Sequence, residues 1–425
     1  MIRDIIKKEK RNRVSKEKSL KTIIPKIRVK NFLEAWTRKK LQSLAPLRGG
    51  FAFKSEKFQN VGIPIVRISN IGFDGTVGGE FEYYSKLNPD EKFVLKGRSL
   101  LLAMSGATTG KIAMLDSEEE YYQNQRVGYF QNNGAVDYDF LSSVLQTKAF
   151  TNQLNAVLVA GAQPNISSKE IDSFEFCIPE SIEEQSAIGT LFRTLDDLLG
   201  SYKDNLANYQ SLKATMLFKL FPKAGQTVPE IRFDGFEGEW ELLEINDLAD
   251  DFQSGGTPKT NVQEYWDGEI PWIQSSDLET DCLFEIKVQK SISEKGLKKS
   301  SAKIIPKDSI AVVTRVGVGK LAVMRHEYAT SQDFLSLSNL KSNIEFTAYL
   351  LYRLLQKEVT QLQGTSIKGI TKVELLSKKV LIPSLSEQQA IGTYFSNLDN
   401  LIAAHQEKIS QLETLKKKLL QDMFI

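Results

Sequence analysis

The sequence predicts a mixed α/β protein built as two pseudo-symmetric copies, each with a globular part followed by a long helix. The first observation is an internal repeat, since EEQSAIGT from Glu183 and SEQQAIGT from Ser386 share six of eight residues. The second is an apolar stripe after each copy, with alternating three- and four-residue spacing, which is typical of paired helices. The third is a set of short Val- and Ile-rich runs bounded by Gly, Pro, Asn and Asp, which favour strands.

The repeat can be followed along most of the chain at an offset of about 203 to 209 residues. The matched segments are Pro25–Trp36 with Pro229–Trp240, Gly49-Gly50 with Gly255-Gly256, Ile63-Pro64 with Ile270-Pro271, LLAMSGATTGKIAML from Leu101 with IAVVTRVGVGKLAVM from Ile310, and Ile178-Pro179 with Ile382-Pro383. Two long copies are unlike a solenoid, which stacks three or more short units. We therefore predict two domain-sized copies and, from their pseudo-symmetry, a target with two parts.

The domain boundaries follow from this alignment. We predict a basic extension at 1–24, globular parts at 25–180 and 223–384, and long helices at 181–222 and 385–425. Ser181 and Ser386 are the predicted N-caps, and each helix is expected to be roughly 54 Å long at 1.5 Å per residue. The apolar stripes include Ile188, Leu195, Leu206, Tyr209 and Leu220 in the first helix, and Ile391, Leu398, Ile409, Leu412 and Leu419 in the second. Because the stripes match in length and phase, we predict that the helices pair with each other; the alternative is that each packs on its own domain.

Composition indicates an ordinary globular protein, with 41% hydrophobic and 25% charged residues and a net charge of +2. No apolar run reaches the roughly 18 residues that a membrane helix needs, and no secretory signal is recognisable. The two cysteines, Cys177 and Cys282, do not align between the copies, so a reducing cytoplasm is expected. The first 21 residues carry nine basic and three acidic side chains, which suits either a phosphate-contacting arm or a solvated terminus.

The sequence lacks a recognisable catalytic or metal-binding set. It has two histidines, and His405 lies on the stripe of the second helix, while no cluster at zinc-ligand spacing accompanies His326. The segments from Gly106 to Lys111 and from Gly317 to Lys320 depart from the phosphate-loop pattern, because Ile or Leu follows the lysine. We predict tight glycine turns there, no catalytic residue and no metal site, and hence a recognition or scaffold protein.

Side chains that could contact base edges cluster near predicted strand ends and glycine turns. Arg and Lys suit guanine, Asn and Gln suit adenine, and small polar side chains support both. The candidates are Arg48, Lys54, Arg67, Ser69, Asn70, Lys111, Asn124, Gln125 and Arg126 in the first copy, and Ser254, Thr257, Lys259, Gln274, Ser275, Asp277, Arg315, Lys320, Ser331 and Gln332 in the second. The candidates lie in aligned segments of the two copies but differ in side chain, so the copies should select different sequences. For any one residue, the alternative is a solvated surface group.

The order of these blocks resembles the specificity (S) subunit of type I restriction–modification enzymes. The resemblance rests on PEIRFDGFEGEWE from Pro229 and its copy at Pro25, IPWIQSSDL and IPIVRISNI, GAQPNIS from Gly161, and the segments that open both long helices, in which three or four residues separate Ile-Pro from EQxAIGxxF. It implies two target recognition domains, each binding half of a bipartite double-stranded DNA site, and an antiparallel coiled coil that sets the gap between the halves. It also implies docking of two methyltransferase subunits and of restriction subunits. S-adenosylmethionine, ATP and Mg would then be bound by those partners, with no cofactor in this chain.

Two departures from the family pattern stand out. The basic segment 1–24 has no counterpart in the second copy, and GAQPNIS is degraded to GTSIKGIT from Gly364. Any role of Gln163, Pro164 and Asn165 is therefore expected in the first copy only. Two other hypotheses remain open at this point: a coiled-coil scaffold whose repeated domains bind something other than DNA, and a nucleotide-using enzyme built on the glycine–lysine turns.

Overall fold

The computed structural model describes residues 24–160, 165–284, 286–362 and 369–424. The chain forms two compact units, of which the first combines Met1–Tyr202 with Lys408–Ile425 and the second is Lys203–Glu407. Nearly all of the predicted basic extension, residues 1–23, lies outside the described residues.

The first unit contains two four-stranded sheets and a two-stranded ribbon. Its strands are β1 (Thr37–Lys40), β2 (Leu47–Gly49), β3 (Ile63–Val66), β4 (Glu82–Tyr84), β5 (Val94–Leu95), β6 (Ser99–Ala103), β7 (Ile112–Leu115), β8 (Tyr121–Gln123), β9 (Val127–Phe130) and β10 (Glu175–Ile178). The sheet orders are β2-β9-β6-β7 and β4-β3-β8-β5, and β1 pairs with β10. All neighbours are antiparallel except β3 and β8. The helices are α1 (Leu41–Leu44), α2 (Tyr138–Val144), α3 (Lys148–Ala160), α4 (Ser168–Asp172) and the first half of α5 (Ile182–Lys219).

The second unit repeats this plan strand for strand, except that the counterpart of β5 is a single antiparallel bridge between Ile305 and Tyr328. Its strands are β11 (Glu241–Glu244), β12 (Ala249–Ser254), β13 (Trp266–Ile273), β14 (Lys290–Ile292), β15 (Ser309–Val313), β16 (Leu321–Met324), β17 (Ala329–Thr330), β18 (Phe334–Leu340) and β19 (Lys379–Ile382). The sheet orders are β12-β18-β15-β16 and β14-β13-β17, with β11 paired to β19 and β13 parallel to β17. Its helices are the second half of α5, α6 (Glu294–Lys298), α7 (Ile344–Leu362), α8 (Lys372–Leu376) and the first part of α9 (Leu385–Asp422), whose last part belongs to the first unit. The predicted mixed α/β fold of two pseudo-symmetric copies is confirmed.

The most apolar predicted runs form the central strands. Every residue of β6 is buried, because alternate side chains point to two different layers. Leu100 and Leu102 join the core that includes α2 and α3, while Leu101 and Ala103 pack towards Val66 of the other sheet. The same alternation divides β15 of the second unit between two cores. Each unit is therefore a helix layer, a sheet and a second sheet.

The repeated motif, IPxxxxEQxAIG at α5 and IPxxxEQxAIG at α9, has a structural function at the start of each long helix. The amide of Gln185 donates to the carbonyl of Pro179 at 2.8 Å, and its Oε1 accepts the backbone N–H of Asp137 at 2.9 Å. A Cβ on Gly189 would lie 2.5 Å from the backbone nitrogen of Phe140, so this glycine lets α2 approach closely. The corresponding residues of the second unit are Gln388, Pro383, Asn343, Gly392 and Phe346. The motif thus joins each long helix to its own globular part.

The N-caps of the long helices are equivalent, but one prediction was wrong. Ser181 Oγ accepts the backbone N–H of Glu184 at 3.1 Å, and Ser384 Oγ accepts that of Glu387 at 3.4 Å. Ser386, the predicted cap, lies inside α9. An N-cap residue precedes the helix, and its side chain accepts a hydrogen bond from a backbone N–H of the first turn. Ser384 directly precedes α9 and does so, whereas Ser386 is the second residue of the helix.

The two long helices pack against each other within both units, and they run in opposite directions. In the first unit, Phe192 contacts Phe424 and Asp196 binds Lys416. Contacting residues thus have rising numbers along α5 and falling numbers along α9, so the helices are antiparallel. The second unit shows the same order. The contacting pairs there are Tyr209 with His405, Lys213 with Asp399, and Phe221 with Phe395. The predicted antiparallel coiled coil is confirmed.

The stripe residues lie on the inner side of this helix pair. Those that are buried are Ile188, Leu195, Leu220, Ile391, Leu398 and Leu412, and those that are half-buried are Leu206, Tyr209, Ile409 and Leu419. The half-buried positions lie mainly in the middle of the helices, where each helix passes from one unit into the other.

A candidate nucleic-acid interface

Four segments of the first unit meet where β2, β3, β6 and β8 end. They are residues 48–54, 66–70, 104–111 and 123–126, which we call the first loop cluster. Backbone hydrogen bonds join them: Phe51 N–H donates to Gln123 O (2.9 Å), Asn124 N–H to Val66 O (3.1 Å) and Met104 N–H to Arg126 O (3.0 Å). Because these bonds link segments distant in sequence, the cluster is fixed by the fold and not by local turns alone.

The second unit contains the same arrangement. Residues 254–259, 273–277, 314–320 and 330–333 form the second loop cluster. Its corresponding bonds are Gly256 N–H to Thr330 O (2.8 Å), Ser331 N–H to Ile273 O (3.0 Å) and Thr314 N–H to Asp333 O (2.7 Å). The backbone is therefore repeated bond for bond, and the two clusters can be compared residue by residue.

This comparison corrects the alignment of the glycine pairs. Phe51 corresponds to Gly256, because their N–H groups donate to the last residues of the equivalent strands β8 and β17, Gln123 and Thr330. Gly50 then corresponds to Gly255, and the predicted match of Gly49-Gly50 with Gly255-Gly256 was wrong by one residue. The physical reason is a close backbone approach: a Cβ on Gly50 would lie 2.2 Å from Asn124 O, and one on Gly255 would lie 2.2 Å from Thr330 O.

Gly50→Ala is expected to disrupt the first loop cluster, whereas Gly49→Ala is expected to be tolerated. The new methyl group of Gly50→Ala would meet backbone atoms, which cannot move aside as a side chain can, at a cost of about 1–3 kcal/mol or more. Among the described residues, no atom lies within 4 Å of an ideal Cβ on Gly49. Hydrogen exchange of residues 48–54 and 123–126 should rise in the first variant only. Equal exchange in both variants would contradict the close-approach argument.

Eight candidate side chains are exposed on the two clusters and are free to meet a ligand. They are Lys54, Ser69, Gln125 and Arg126 in the first, and Ser254, Lys259, Arg315 and Gln332 in the second. Asn124, Thr257, Gln274 and Ser275 are half-buried at the same places. The hydroxyl of Thr257 donates to Gln332 Oε1 at 2.6 Å, which orients that amide.

Arg48 does not extend towards the surface of the cluster. Its guanidinium donates to Gln123 Oε1 at 3.1 Å and to the carbonyls of Glu91 and Val94 at 3.1 and 2.8 Å. It also lies 4.7 Å from the ring centre of Tyr129. Burial lowers the pKa of Arg48 from its ordinary value. Three of its donors thus have partners in the protein, and Arg48 joins β2 to Gln123 and to the segment 91–94.

Asn70 and Asp277 occupy equivalent positions and also point inward. Asn70 Oδ1 accepts the N–H of Arg67 at 3.0 Å, and Asp277 Oδ2 accepts that of Gln274 at 3.1 Å. Both side chains are at least 90% buried. Each closes a short 3₁₀ turn after a strand, so both side chains stabilise the loop and do not extend to its surface.

Three further candidates are partly engaged within the protein. Ser331 is buried and its hydroxyl lies 3.3 Å from Asp333 Oδ2. Lys320 Nζ donates to Leu278 O at 2.7 Å, which holds the glycine turn between β15 and β16. A guanidinium nitrogen of Arg67 lies 3.4 Å from Glu82. Lys111, the counterpart of Lys320, instead lies over the ring of Phe73.

The segment after α3 ends against the first loop cluster. Gln163 and Pro164 lie outside the described residues, but Asn165 forms a β-bridge with Ser105 and the N–H of Ile166 donates to Met104 O at 3.0 Å. In the second unit Ile370 N–H donates to Thr314 O at 2.7 Å. The two ends are equivalent although their sequences have diverged, which a comparison of GAQPNIS with GTSIKGIT alone does not reveal.

Membrane spans and metal sites are not found in the described part of the chain. Within it, no helix is both long enough and apolar enough to cross a membrane. No group of three or more His, Cys, Asp or Glu side chains in those residues is arranged to hold a metal ion. The ring of His405 packs on Tyr209 at 5.1 Å, as expected for a helix-packing residue.

Comparison with known proteins gives a consistent result. The model of the type I restriction modification DNA specificity domain matches residues 33–208 and 237–414. In Methanocaldococcus jannaschii, the putative type I restriction enzyme MjaX specificity subunit is 21% identical over 91% of this chain and 92% of that protein. The MjaVIII specificity subunit is 27% identical over 78% and 79% of the two chains, and the match to the MjaIX specificity subunit, at 29%, spans 44% of each. The crystal structure of the type I S subunit from M. genitalium superimposes with a TM-score of 0.62 at 16% identity, covering 95% of this chain and 99% of that one.

Proposed function

Since this chain belongs to the family of type I restriction–modification DNA specificity subunits, we propose that each of its loop clusters contacts one half of a bipartite DNA site. The observation that carries this proposal is the pair of clusters with the same backbone bonds and different exposed side chains. Two copies of one scaffold that present different donors and acceptors would select different base sequences. The antiparallel helices would then set the fixed gap between the two halves.

The aligned positions separate into shared and unshared side chains. Lys54 and Lys259 are equivalent and both exposed, which suits contacts with phosphates that carry no sequence information. Arg126 is replaced by Asp333 in the second cluster. Arg315 is replaced by Ser105 in the first, because the equivalent bonds of Met104 and Thr314 show that the predicted match of Leu101 with Ile310 was wrong by one residue in these strands. An exposed arginine thus occurs in both clusters at non-equivalent places, and we assign these two arginines to base contacts.

Arg126→Ala and Arg315→Ala are expected to relax sequence selection in different halves of the site. Loss of a bidentate guanine contact costs about 1–3 kcal/mol and removes discrimination at that base pair. The measurement is a map of methylated bases after co-expression of each variant with the methyltransferase subunit. Lys54→Ala is the matched control, because loss of a phosphate contact should weaken methylation at all sites without changing their sequence. Relaxation of both halves by one arginine variant would contradict the assignment.

The first experiment is the same map for the unaltered protein, and it tests the function itself. A single split motif with a constant gap is expected among methylated adenines. Methylation without such a motif, or duplex binding that ignores salt concentration, would count against DNA selection, since phosphate contacts impose a steep salt dependence. The scaffold hypothesis would then be favoured.

The partners that we propose are two methyltransferase subunits and, in the full complex, restriction subunits. A second row of leucines supports helix docking, because it lies outside the buried stripe. Leu191, Leu198 and Leu415 of the first unit and Leu212 and Leu401 of the second are 37–45% exposed. They follow a seven-residue spacing, or a multiple of it, along each helix, and exposed apolar rows of this kind mark protein interfaces.

The chemistry is proposed to belong to those partners. This chain would select the DNA, without catalytic residues of its own, while methyl transfer and cleavage use S-adenosylmethionine, ATP and Mg bound in the other subunits. Such a complex acts on chromosomal and incoming DNA, so we propose the cytoplasm as its location.

A further inference from the structure

A hairpin of the first unit, residues 71–77, presents Phe73 to solvent with 90% of its surface exposed. The hairpin is tight: Gly72 N–H donates to Thr76 O at 2.9 Å. Asp74 Oδ1 accepts both the N–H and the hydroxyl of Thr76, at 3.1 and 2.8 Å. The phenyl ring is therefore carried on an internally bonded turn.

This hairpin is also fixed to the rest of the unit. Met114 N–H donates to Gly75 O at 3.0 Å, which joins the tip to β7, and Gly78 N–H donates to Asn70 O at 3.0 Å. The side-chain amide of Asn70 donates to the carbonyls of Gly78 and Glu80 at 3.0 and 2.9 Å. A ligand would meet Phe73 in a fixed position, so little backbone entropy remains to be lost on binding.

The ring lies beside the first loop cluster, under a cation. Lys111 Nζ is 3.1 Å from the centre of the Phe73 ring, and Lys111 ends the glycine turn between β6 and β7. A single exposed apolar side chain is ordinary on protein surfaces. A rigid phenyl ring paired with a lysine is a more specific feature, because it combines an apolar surface with a positive charge. This combination matches a nucleotide, which offers an apolar base edge next to a phosphate.

We propose that Phe73 and Lys111 make one composite contact with the first half-site: Lys111 binds a backbone phosphate, and the Phe73 ring packs on the methyl group of a thymine. The inference rests on the proposed function and deepens it. The contact is confined to the first half-site. Phe73 lies three residues after Asn70, and the residue three after the equivalent Asp277 is Thr280, which has no aromatic ring.

The test uses the full chain in complex with its methyltransferase subunits and a duplex that carries the mapped site. Phe73→Ala should lower affinity roughly tenfold without changing the salt dependence, since an apolar contact releases no counterions. Lys111→Ala should reduce the slope of log affinity against log salt by about 1. Replacing thymine by deoxyuridine in the first half-site should weaken binding of the unaltered protein and have no further effect on Phe73→Ala.

Two control substitutions distinguish the thymine contact from a general loss of apolar surface and from a damaged hairpin. Leu33→Ala removes an equally exposed apolar side chain outside the loop clusters and should leave affinity unchanged. Phe73→Leu keeps an apolar side chain on the same turn and should retain most of the affinity. An unchanged affinity of Phe73→Ala, or an equal loss on a duplex whose first half-site is scrambled, would overturn the inference and leave the proposed function standing. If the unaltered complex does not distinguish the mapped duplex from a scrambled one, the proposed function itself fails.

Discussion

Lys213→Met is expected to destabilise the second unit by about 3–5 kcal/mol, because it leaves a largely buried carboxylate, that of Asp399, without its cation. Lys213 is 8% exposed and its Nζ lies 2.6 Å from Asp399. The hydroxyl of Tyr349 donates to the same carboxylate at 2.7 Å. Burial, and next the charge of Asp399, raise the pKa of Tyr349 well above its ordinary value, so this hydroxyl remains a donor. One hydroxyl does not replace the lost ammonium group.

The measurement has to resolve the two units, since a chain with two units does not unfold in one two-state step. Hydrogen exchange of residues 203–219 and 385–407 reports the second unit, and that of 182–202 and 408–422 reports the first. The expected result is faster exchange in the second unit. Lys213→Met with Asp399→Leu should recover part of the loss, because the double variant removes the unpaired charge as well.

The chain supplies its own matched control for this prediction. Lys416 and Asp196 form the equivalent ion pair in the first unit. Lys416 lies 203 residues after Lys213, and Asp399 lies 203 residues after Asp196. The side chain of Asp196 is 42% exposed, against 18% for Asp399. Water can therefore solvate Asp196 after Lys416→Met, and we expect a loss of about 1 kcal/mol or less. Equal losses for Lys213→Met and Lys416→Met would refute the argument from burial.

Arg232→Ala is the second substitution with a large expected effect, again about 3–5 kcal/mol. Arg232 binds Glu387 through two hydrogen bonds, of 2.8 and 2.6 Å, and the side chain of Glu387 is 2% exposed. The guanidinium also donates to the carbonyls of Gly238 and Glu237 at 2.6 and 3.0 Å. One residue thus joins the segment before β11 to the first turn of α9, and hydrogen exchange at that turn is the appropriate measurement. Arg232→Lys should recover little, because an ammonium group cannot form the paired bonds.

The equivalent contact in the first unit should be less sensitive. Arg28 binds Glu184 at 2.7 and 2.8 Å, and the indole N–H of Trp36 donates to the same carboxylate at 3.3 Å. The indole N–H of Trp240 is buried and has no partner among the described residues. After Arg28→Ala a donor therefore remains near Glu184, and we expect a smaller loss than for Arg232→Ala. A larger loss in Arg28→Ala than in Arg232→Ala would contradict this expectation.

The architecture was largely predictable because its signals are local and occur twice. Apolar runs such as SLLLA and SIAVV are fully buried strands, and the heptad stripes are the inner faces of α5 and α9. The ribbon of β1 with β10 was not predicted, since TRKK has no apolar pattern and becomes a strand only through its pairing with residues 175–178. The glycine alignment was wrong by one residue for a similar reason: the close approach that fixes it involves a strand more than 70 residues away.

The candidate interface was predictable in residue type and in region, but not in side-chain direction. Arg48 and Arg126 look equally suitable in the sequence. The structure separates them because the donors of Arg48 meet the carbonyls of Glu91 and Val94, whereas Arg126 is exposed. Phe73 was missed because an isolated aromatic residue next to Asp and Gly looks like part of an ordinary loop. Only its exposure, together with the position of Lys111 over its ring, distinguishes it.

The division of each long helix between two units has a consequence for biosynthesis. The core of the first unit includes Leu412 and Met423, so this unit cannot close until those residues have left the ribosome. The second unit is one continuous stretch, 203–407, and all of it emerges earlier. During translation the N-terminal domain usually folds first. Here the second unit can complete its fold before the first unit does. Until residues 408–424 are synthesised, the apolar face of residues 182–202 lacks its partner helix. Chaperone binding or proteolysis during synthesis should therefore concentrate on residues 182–202.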